Sequence, residues 1–458
     1  MTNSNLDRSR ADRHRRSLGL TTSVRRPAWR LGVVVPLVAL LTLGVPVSAV
    51  GQDVSDGLWY FDALKIGEHH AAGWTGKGVT IAVVDTPINL NVPTLQGADV
   101  RVQEQNYCQS EATGEFYPPT SDDLGIRADH GTNIVSYIVG TGTGYPGQQG
   151  VKGIAPDATI IYFAEGFQAW DDCETAPVYA FNNLPGGLVE RVIASGADIL
   201  SISANYGIGI RERAKLLRAG VIVLGAGSNN RLGGGGFLAG TNGVVTVQMG
   251  DASGSVYEQG ERVDFQTGIV APGIDVLSQG SDGDWQQQKL NSGTSVATPM
   301  VAGMLALVKQ KYPTATNNQL LQSLIRNASG AIDGEAHFDE TGQVGYGLAS
   351  VTRMLETDPT AYPDISPFLL RQEDSRFDYT LIPTYDEVFN PRPLEPWEEG
   401  YEEENPEPEP ASPPTFDGLI TIALIGLGAL VLLAITAVVI VVIVRRKHSR
   451  TEHGSPSP

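Results

Sequence analysis

Four residues in this chain have the side chains and the settings to break an acyl bond. Asp85 ends the apolar run "VTIAVVD", and Asn229 follows "VIVLGAGS". His130 stands near the start of the helix-like "DHGTNIVSYIV", and Ser295 opens "SVATPMVAGMLALV". A serine hydroxyl is a weak nucleophile until an imidazole takes its proton. The imidazole needs a carboxylate to fix its tautomer and stabilise its cation. The tetrahedral oxyanion needs aimed donors, and a side-chain amide supplies one. Taken singly, each residue has a structural reading: Asp85 capping a turn, His130 or Ser295 capping a helix, Asn229 holding a turn. Together they point to acyl transfer. Gly293 and Thr294 before Ser295 suggest a tight turn into a helix. Ser295 would then lie near unpaired N–H groups and the positive end of the helix dipole. Pro299 is expected in the first turn of that helix, where a proline is tolerated.

The elements that must position these groups are legible as apolar runs. "GVTIAVVD", "ATIIYFA", "ADILSIS", "GVIVLGAG" and "GVVTVQM" read as buried strands. Continuous apolar runs separated by helical-period segments imply a parallel sheet covered on both faces. "HGTNIVSYIVGTG", "GGLVERVIAS", "IRERAKLLRAG" and "SVATPMVAGMLALVKQKY" read as helices. The expected fold class is therefore α/β, a doubly wound, mainly parallel sheet, with active groups at the C-terminal ends of its strands.

"IAVVDT", "DHGTNIVSYIVG" and "GTSVATPMVAG" together resemble the aspartate, histidine and serine motifs of the subtilisin-like serine proteases, the subtilases. The resemblance covers about residues 57–352. It implies Asp85 as orienting acid, His130 as general base and Ser295 as nucleophile. "GVIVLGAGSNN" resembles the strand ending in the oxyanion asparagine, which implies Asn229 in that role. "LSISANYG" resembles the strand that pairs with extended substrate, so Ser203, Ala204 and Asn205 are expected to line the cleft, with Ala226 and Gly227 also touching substrate. The chain departs from the family pattern at Pro87, where glycine is usual, at Asn133, where a second histidine is common, and at Ser228 in "GSN". Few residues separate Ala49 from a segment resembling the mature start, where the family usually carries a propeptide. With an apparent membrane anchor, that combination is similar to the mycosins, subtilases attached to type VII secretion. No acidic loop has calcium-ligand spacing, so no metal or cofactor is expected. Asp122, Asp123 and Asp129 read as a solvated loop.

The flanks set the expected location. Residues 1–30 carry eight Arg against two Asp and precede "LGVVVPLVALLTLGV" and "PVSA", the pattern of a signal peptide spanning 1–49. The uncharged run Leu419–Val444 is long enough to span a bilayer, and "RRKHSR" follows it. The positive-inside bias puts the tail, 445–458, in the cytoplasm and the rest outside the cell. Between lie a catalytic domain (50–355), a Pro-, Asp- and Tyr-rich extension (356–394) and an acidic, proline-rich stalk (395–418). Residues 31–444 carry 20 basic and 48 acidic groups, which disfavours a nucleic-acid partner. The two cysteines, Cys108 and Cys173, are expected to form a disulfide in an oxidising compartment. The reading is a membrane-anchored serine endopeptidase acting on extended polypeptide. Its rival is a component of a secretion complex with a structural role and secondary catalysis.

Overall fold

The structure is a computed structural model. It describes residues 55–104, 109–110, 115–164, 173–174, 187–204, 207–229, 238–256, 267–339, 342–374, 381–391, 435–436 and 440. The chain divides into two compact units, Met1–Gln52 and Asp53–Pro458, and the first lies wholly outside the described residues. So do Cys108, Asn205 and the stalk. Of the expected span only Ile435, Thr436 and Ile440 are described, and they are helical. Among the described residues no helix is long and apolar enough to cross a membrane.

The strands run, in chain order, β1 (Thr80–Asp85), β2 (Val100–Val102), β3 (Gln109–Ser110), β4 (Thr141–Thr143), β5 (Gln149–Lys152), β6 (Thr159–Ala164), β7 (Cys173–Glu174), β8 (Ile199–Ile202), β9 (Ile222–Ala226), β10 (Val244–Gly250), β11 (Ile269–Pro272), β12 (Val276–Ser281) and β13 (Asp284–Asn291). Seven form one sheet in the order β11-β10-β9-β8-β1-β6-β2. Every pairing in it is parallel. The expected parallel α/β sheet is therefore present. β12 and β13 form a separate antiparallel hairpin, which the sequence reading did not anticipate.

Alternation along β1 explains its uninterrupted apolar sequence. Ile81 and Val83 enter one hydrophobic core, while Ala82 and Val84 enter another on the opposite face. The first core includes residues of α3 (Ala128–Val139), α6 (Thr294–Lys311), α7 (Asn317–Arg326) and α8 (Val351–Glu356), together with the short α1 (Trp59–Ala63) and α2 (Ile66–Ala71). The second includes residues of α4 (Leu188–Ala194) and α5 (Ile210–Arg218). Each buried Val, Ile or Leu side chain contributes about 1.5–3 kcal/mol, so helices covering both faces stabilise every residue of the strand.

One sequence expectation needs revision. Pro299 is the sixth residue of α6, beyond the first turn. It has no N–H to donate to the Ser295 carbonyl four residues back. The 356–394 segment lacks a repeating apolar pattern, yet its described residues lie along the body as a strap. Asn242 Nδ2 donates to the Leu370 and Pro383 carbonyls, both at 2.9 Å, and Oδ1 accepts the Leu370 N–H at 2.8 Å. Gln319 Nε2 donates to the Thr360 and Tyr362 carbonyls at 3.0 Å, and Gln322 Nε2 to the Ile365 carbonyl at 2.9 Å. Near the strap's end, α9 (Tyr385–Phe389) packs on α5, and Val388 and Leu369 form a small cluster with Ala214.

Candidate active site

Asp85 is the last residue of β1 and is fully buried. Its Oδ1 accepts the Thr86 N–H at 2.8 Å and faces His130 Nδ1 at 2.6 Å. A carboxylate has no proton to give at neutral pH, so Nδ1 is the donor in this bond. The neutral imidazole then leaves Nε2 with a free lone pair, the form a general base needs.

Thr86 ties the surroundings of this pair together. Its hydroxyl lies 2.8 Å from the Arg127 carbonyl and 3.2 Å from Asp85 Oδ1; with one proton to give, it donates to the nearer. The same oxygen accepts the Gly131 N–H at 2.9 Å. Its carbonyl accepts a short hydrogen bond from the hydroxyl of Tyr162, a buried residue of β6. Burial, and then the charge of Asp85, raises the Tyr162 phenol well above its ordinary value, so it remains a donor. Gly131, directly after His130, is where this knot closes. A Cβ there would run into the Tyr162 hydroxyl and lie 2.5 Å from the Thr86 carbonyl oxygen.

On the other side of the site, Asn229 stands beyond β9 at the start of α6. Its Oδ1 accepts the Thr294 N–H at 2.7 Å and lies 2.9 Å from the Thr294 hydroxyl, which also reaches the Gly227 carbonyl at 2.8 Å. With Oδ1 held by Thr294, Nδ2 is the donor left to the amide, and it has no partner among the described residues. Ser295 follows Thr294 as the second residue of α6. A Cβ on Gly293 would lie 3.1 Å from Ser295 Oγ and 3.5 Å from Asn229 Oδ1, which puts amide and hydroxyl at one spot. α3 packs on α6, which brings the His130 and Ser295 helices together. Among the described residues no hydrogen bond joins His130 to Ser295. Unliganded sites often hold such pairs apart until substrate arrives.

The described substrate-lining candidates, Ser203, Ala204, Ala226 and Gly227, fall at the same end of the sheet. Val84 pairs with Ile202, so Asp85 and Ser203 leave their strands side by side. Among the described residues, Asp85 Oδ2 and Ser203 Oγ are both buried without a hydrogen-bond partner. Leaving such a group unpaired costs about 1–3 kcal/mol, a cost concentrated at these strand ends. Ala204 follows Ser203, and Ala226 and Gly227 precede Asn229 on the next strand. The Gly227 N–H donates to the Val247 carbonyl at 2.9 Å, so the β9–β10 ladder runs up to the amide. Among the described residues no three His, Cys, Asp or Glu side chains gather as metal ligands. Asp123 caps a turn by accepting the Gly125 N–H at 2.7 Å, and Asp129 pairs with Lys289 at 3.2 Å. β3 and β7 pair antiparallel, with Ser110 opposite Cys173, but Cys108 is outside the described residues.

Sequence reasoning missed Thr86, Thr294 and Tyr162 as parts of the site. The two threonines are adjacent to motif residues, which is a usable signal. Tyr162 sits inside an apolar strand and gives none.

Residues 76–347 match a family model described as Subtilase family. Among curated proteins, the chain is 29% identical over 281 residues to the Thermostable alkaline protease of Halalkalibacterium halodurans, covering 59% of this chain and 68% of that one. It is 29% identical over 313 residues to the Minor extracellular protease Epr of Bacillus subtilis, covering 65% of this chain and 42% of that one. The chain thus spans under half the length of the latter. Among solved structures, it is similar to the MycP3 protease from the type VII (ESX-3) secretion system at 20% identity and a TM-score of 0.48, covering 67% of this chain and 90% of that one. It is also similar to fervidolysin from Fervidobacterium pennivorans at 21% identity and a TM-score of 0.47, covering 68% and 47%.

Proposed function

The chain belongs to the subtilase family of serine endopeptidases, and from that premise we propose that Ser295, His130 and Asp85 are its catalytic triad, with Asn229 in the oxyanion hole. Ser295 Oγ attacks the scissile carbonyl while His130 Nε2 takes its proton. Asp85 stabilises the imidazolium through the Nδ1 bond. The oxyanion is held by Asn229 Nδ2 and the N–H at the start of α6. His130 returns its proton to the leaving amine, and water then releases the acyl group with His130 again as base. The peptide lies extended beside Ser203–Asn205, its other side against Ala226 and Gly227.

The observation that carries this reading is the 2.6 Å bond between His130 Nδ1 and the fully buried Asp85 carboxylate, at the end of a strand, with the histidine helix packed on the helix that carries Ser295. The apolar run Leu419–Val444 with its basic flank supports a single span, placing catalysis outside the cell. A Cys108–Cys173 bridge belongs to the same reading, from two cysteines in an oxidising compartment.

Labelling with a serine-directed fluorophosphonate tests the mechanism. The parent protein reacts, and Ser295→Ala does not. In a cleavage assay with a peptide library, that variant loses on the order of 10⁶ in kcat. A parent that stays unlabelled in folded form would instead favour a non-catalytic scaffold on this fold.

A further inference from the structure

We propose that Asn133 is a positioning residue that sets the spacing between His130 and Ser295 by clamping α3 to the β12–β13 hairpin; the inference rests on the serine-hydrolase reading above. Asn133 lies three residues after His130, on the same side of α3. Its Oδ1 accepts the Gln279 N–H at 2.8 Å, and its Nδ2 donates to the Gln279 carbonyl at 2.8 Å. One side chain therefore satisfies both main-chain groups of one strand residue, as a neighbouring strand would. The second Nδ2 proton reaches back to the Asp129 carbonyl at 2.7 Å, so the amide is fully engaged. Asn133 and Gln279 are both 3% exposed.

Gln279 is joined to the reacting serine through the hairpin. It pairs with Gln288 on β13, and Val276 pairs with Asn291, four residues before Ser295. The path from base to nucleophile thus runs along one turn of helix, through the Asn133 amide, and down a paired hairpin. One turn further along α3, the Tyr137 and Ser278 hydroxyls bond at 2.6 Å, again buried. These polar contacts form a seam inside an otherwise apolar core.

Apolar packing is non-directional and would tolerate sliding of α3 along the hairpin. A buried, fully satisfied polar seam fixes one register, because any slip leaves donors and acceptors unpaired. Among the described residues no hydrogen bond joins His130 to Ser295, and their separation follows from the elements that carry them. Misplacing reacting groups by about 1 Å can cost about 10²-fold in rate.

The test uses the full-length protein in detergent, with Asn133→Leu and Asn133→Asp. Leucine is close in size and makes neither bond to Gln279. Aspartate keeps the bond from the Gln279 N–H and loses the one to its carbonyl. Inactivation by fluorophosphonate is followed as kinact and KI across pH, with melting temperature recorded for each variant. We expect kinact of Asn133→Leu to fall about 10- to 100-fold at every pH, with KI within about twofold and Asn133→Asp in between. A folded Asn133→Leu with parental kinact would overturn the inference and leave the clamp a purely stabilising contact. If the leucine variant does not fold, a folded aspartate variant decides by the same comparison. If neither folds, the clamp serves the fold rather than the spacing, which also overturns the proposal. A folded parent that does not react with the probe sinks the hydrolase reading itself, a result distinguishable because it precedes any substitution.

Discussion

A threonine stands beside each polar partner in the site, and each restricts what its neighbour can do. Thr86 holds Asp85 Oδ1 through its N–H, and Thr294 holds Asn229 Oδ1 through its own. The second matters for catalysis because an amide offers one acceptor and two donors. Occupying the acceptor turns the donors toward the cleft. Replacing Asn229 with alanine should therefore lower kcat by about 10²–10³ with little change in KM, since the amide acts on charge that develops only in the transition state. An effect confined to KM in steady-state peptide hydrolysis would place Asn229 in ground-state binding instead. At this scale the sequence was informative: the four candidate side chains sit next to turns, where strand ends and helix starts must fall. The residues that orient them were harder to find. Tyr162 is an aromatic in a buried strand and Asn133 a polar residue inside a helix, and only their partners, remote in sequence, reveal what they do.

The knot between β1, β6 and α3 allows one backbone path, and Gly131 marks it. With Thr86 and Tyr162 meeting behind His130, the backbone there has room for hydrogen alone. Gly131→Ala should push α3 away from β1, costing about 1–3 kcal/mol as overpacking against rigid neighbours does. Both the melting temperature and the rate of phosphonate labelling should fall, because the shift also moves His130. An alanine variant with parental stability would mean that the strand and helix separate more easily than this packing implies. The strands were legible because both faces of the sheet are covered, which makes their sequences apolar without interruption. The β12–β13 hairpin was not, because "DWQQQKLN" is half-exposed and carries no apolar alternation. Pro299 misled for a related reason. A proline in a helix interior loses one hydrogen bond, and α6 is buried along most of its length, so packing offsets that loss.

Across the whole molecule, the strap has the largest consequence for how the protein is handled. Its segments carry no amphipathic period because they are held by side chains of other elements, among them Asn242, Gln319, Gln322 and Arg218, reaching its carbonyls. A chain ending near Pro414 should be soluble and active with a melting temperature close to that of the parent. A chain ending after Leu355 should melt several degrees lower, since it bares the Asn242 amide and the Ala214 cluster. Equal melting temperatures for the two by calorimetry would show the strap to be a passenger. Its position after β1 and the helices of the site in the chain also imposes a timetable on birth. A ribosome delivers β1, the histidine helix and the serine helix long before it delivers residues 366–390. Until those last residues arrive, the turn that carries Asn242 waits uncovered, so the finished enzyme is assembled by the part of the body made last.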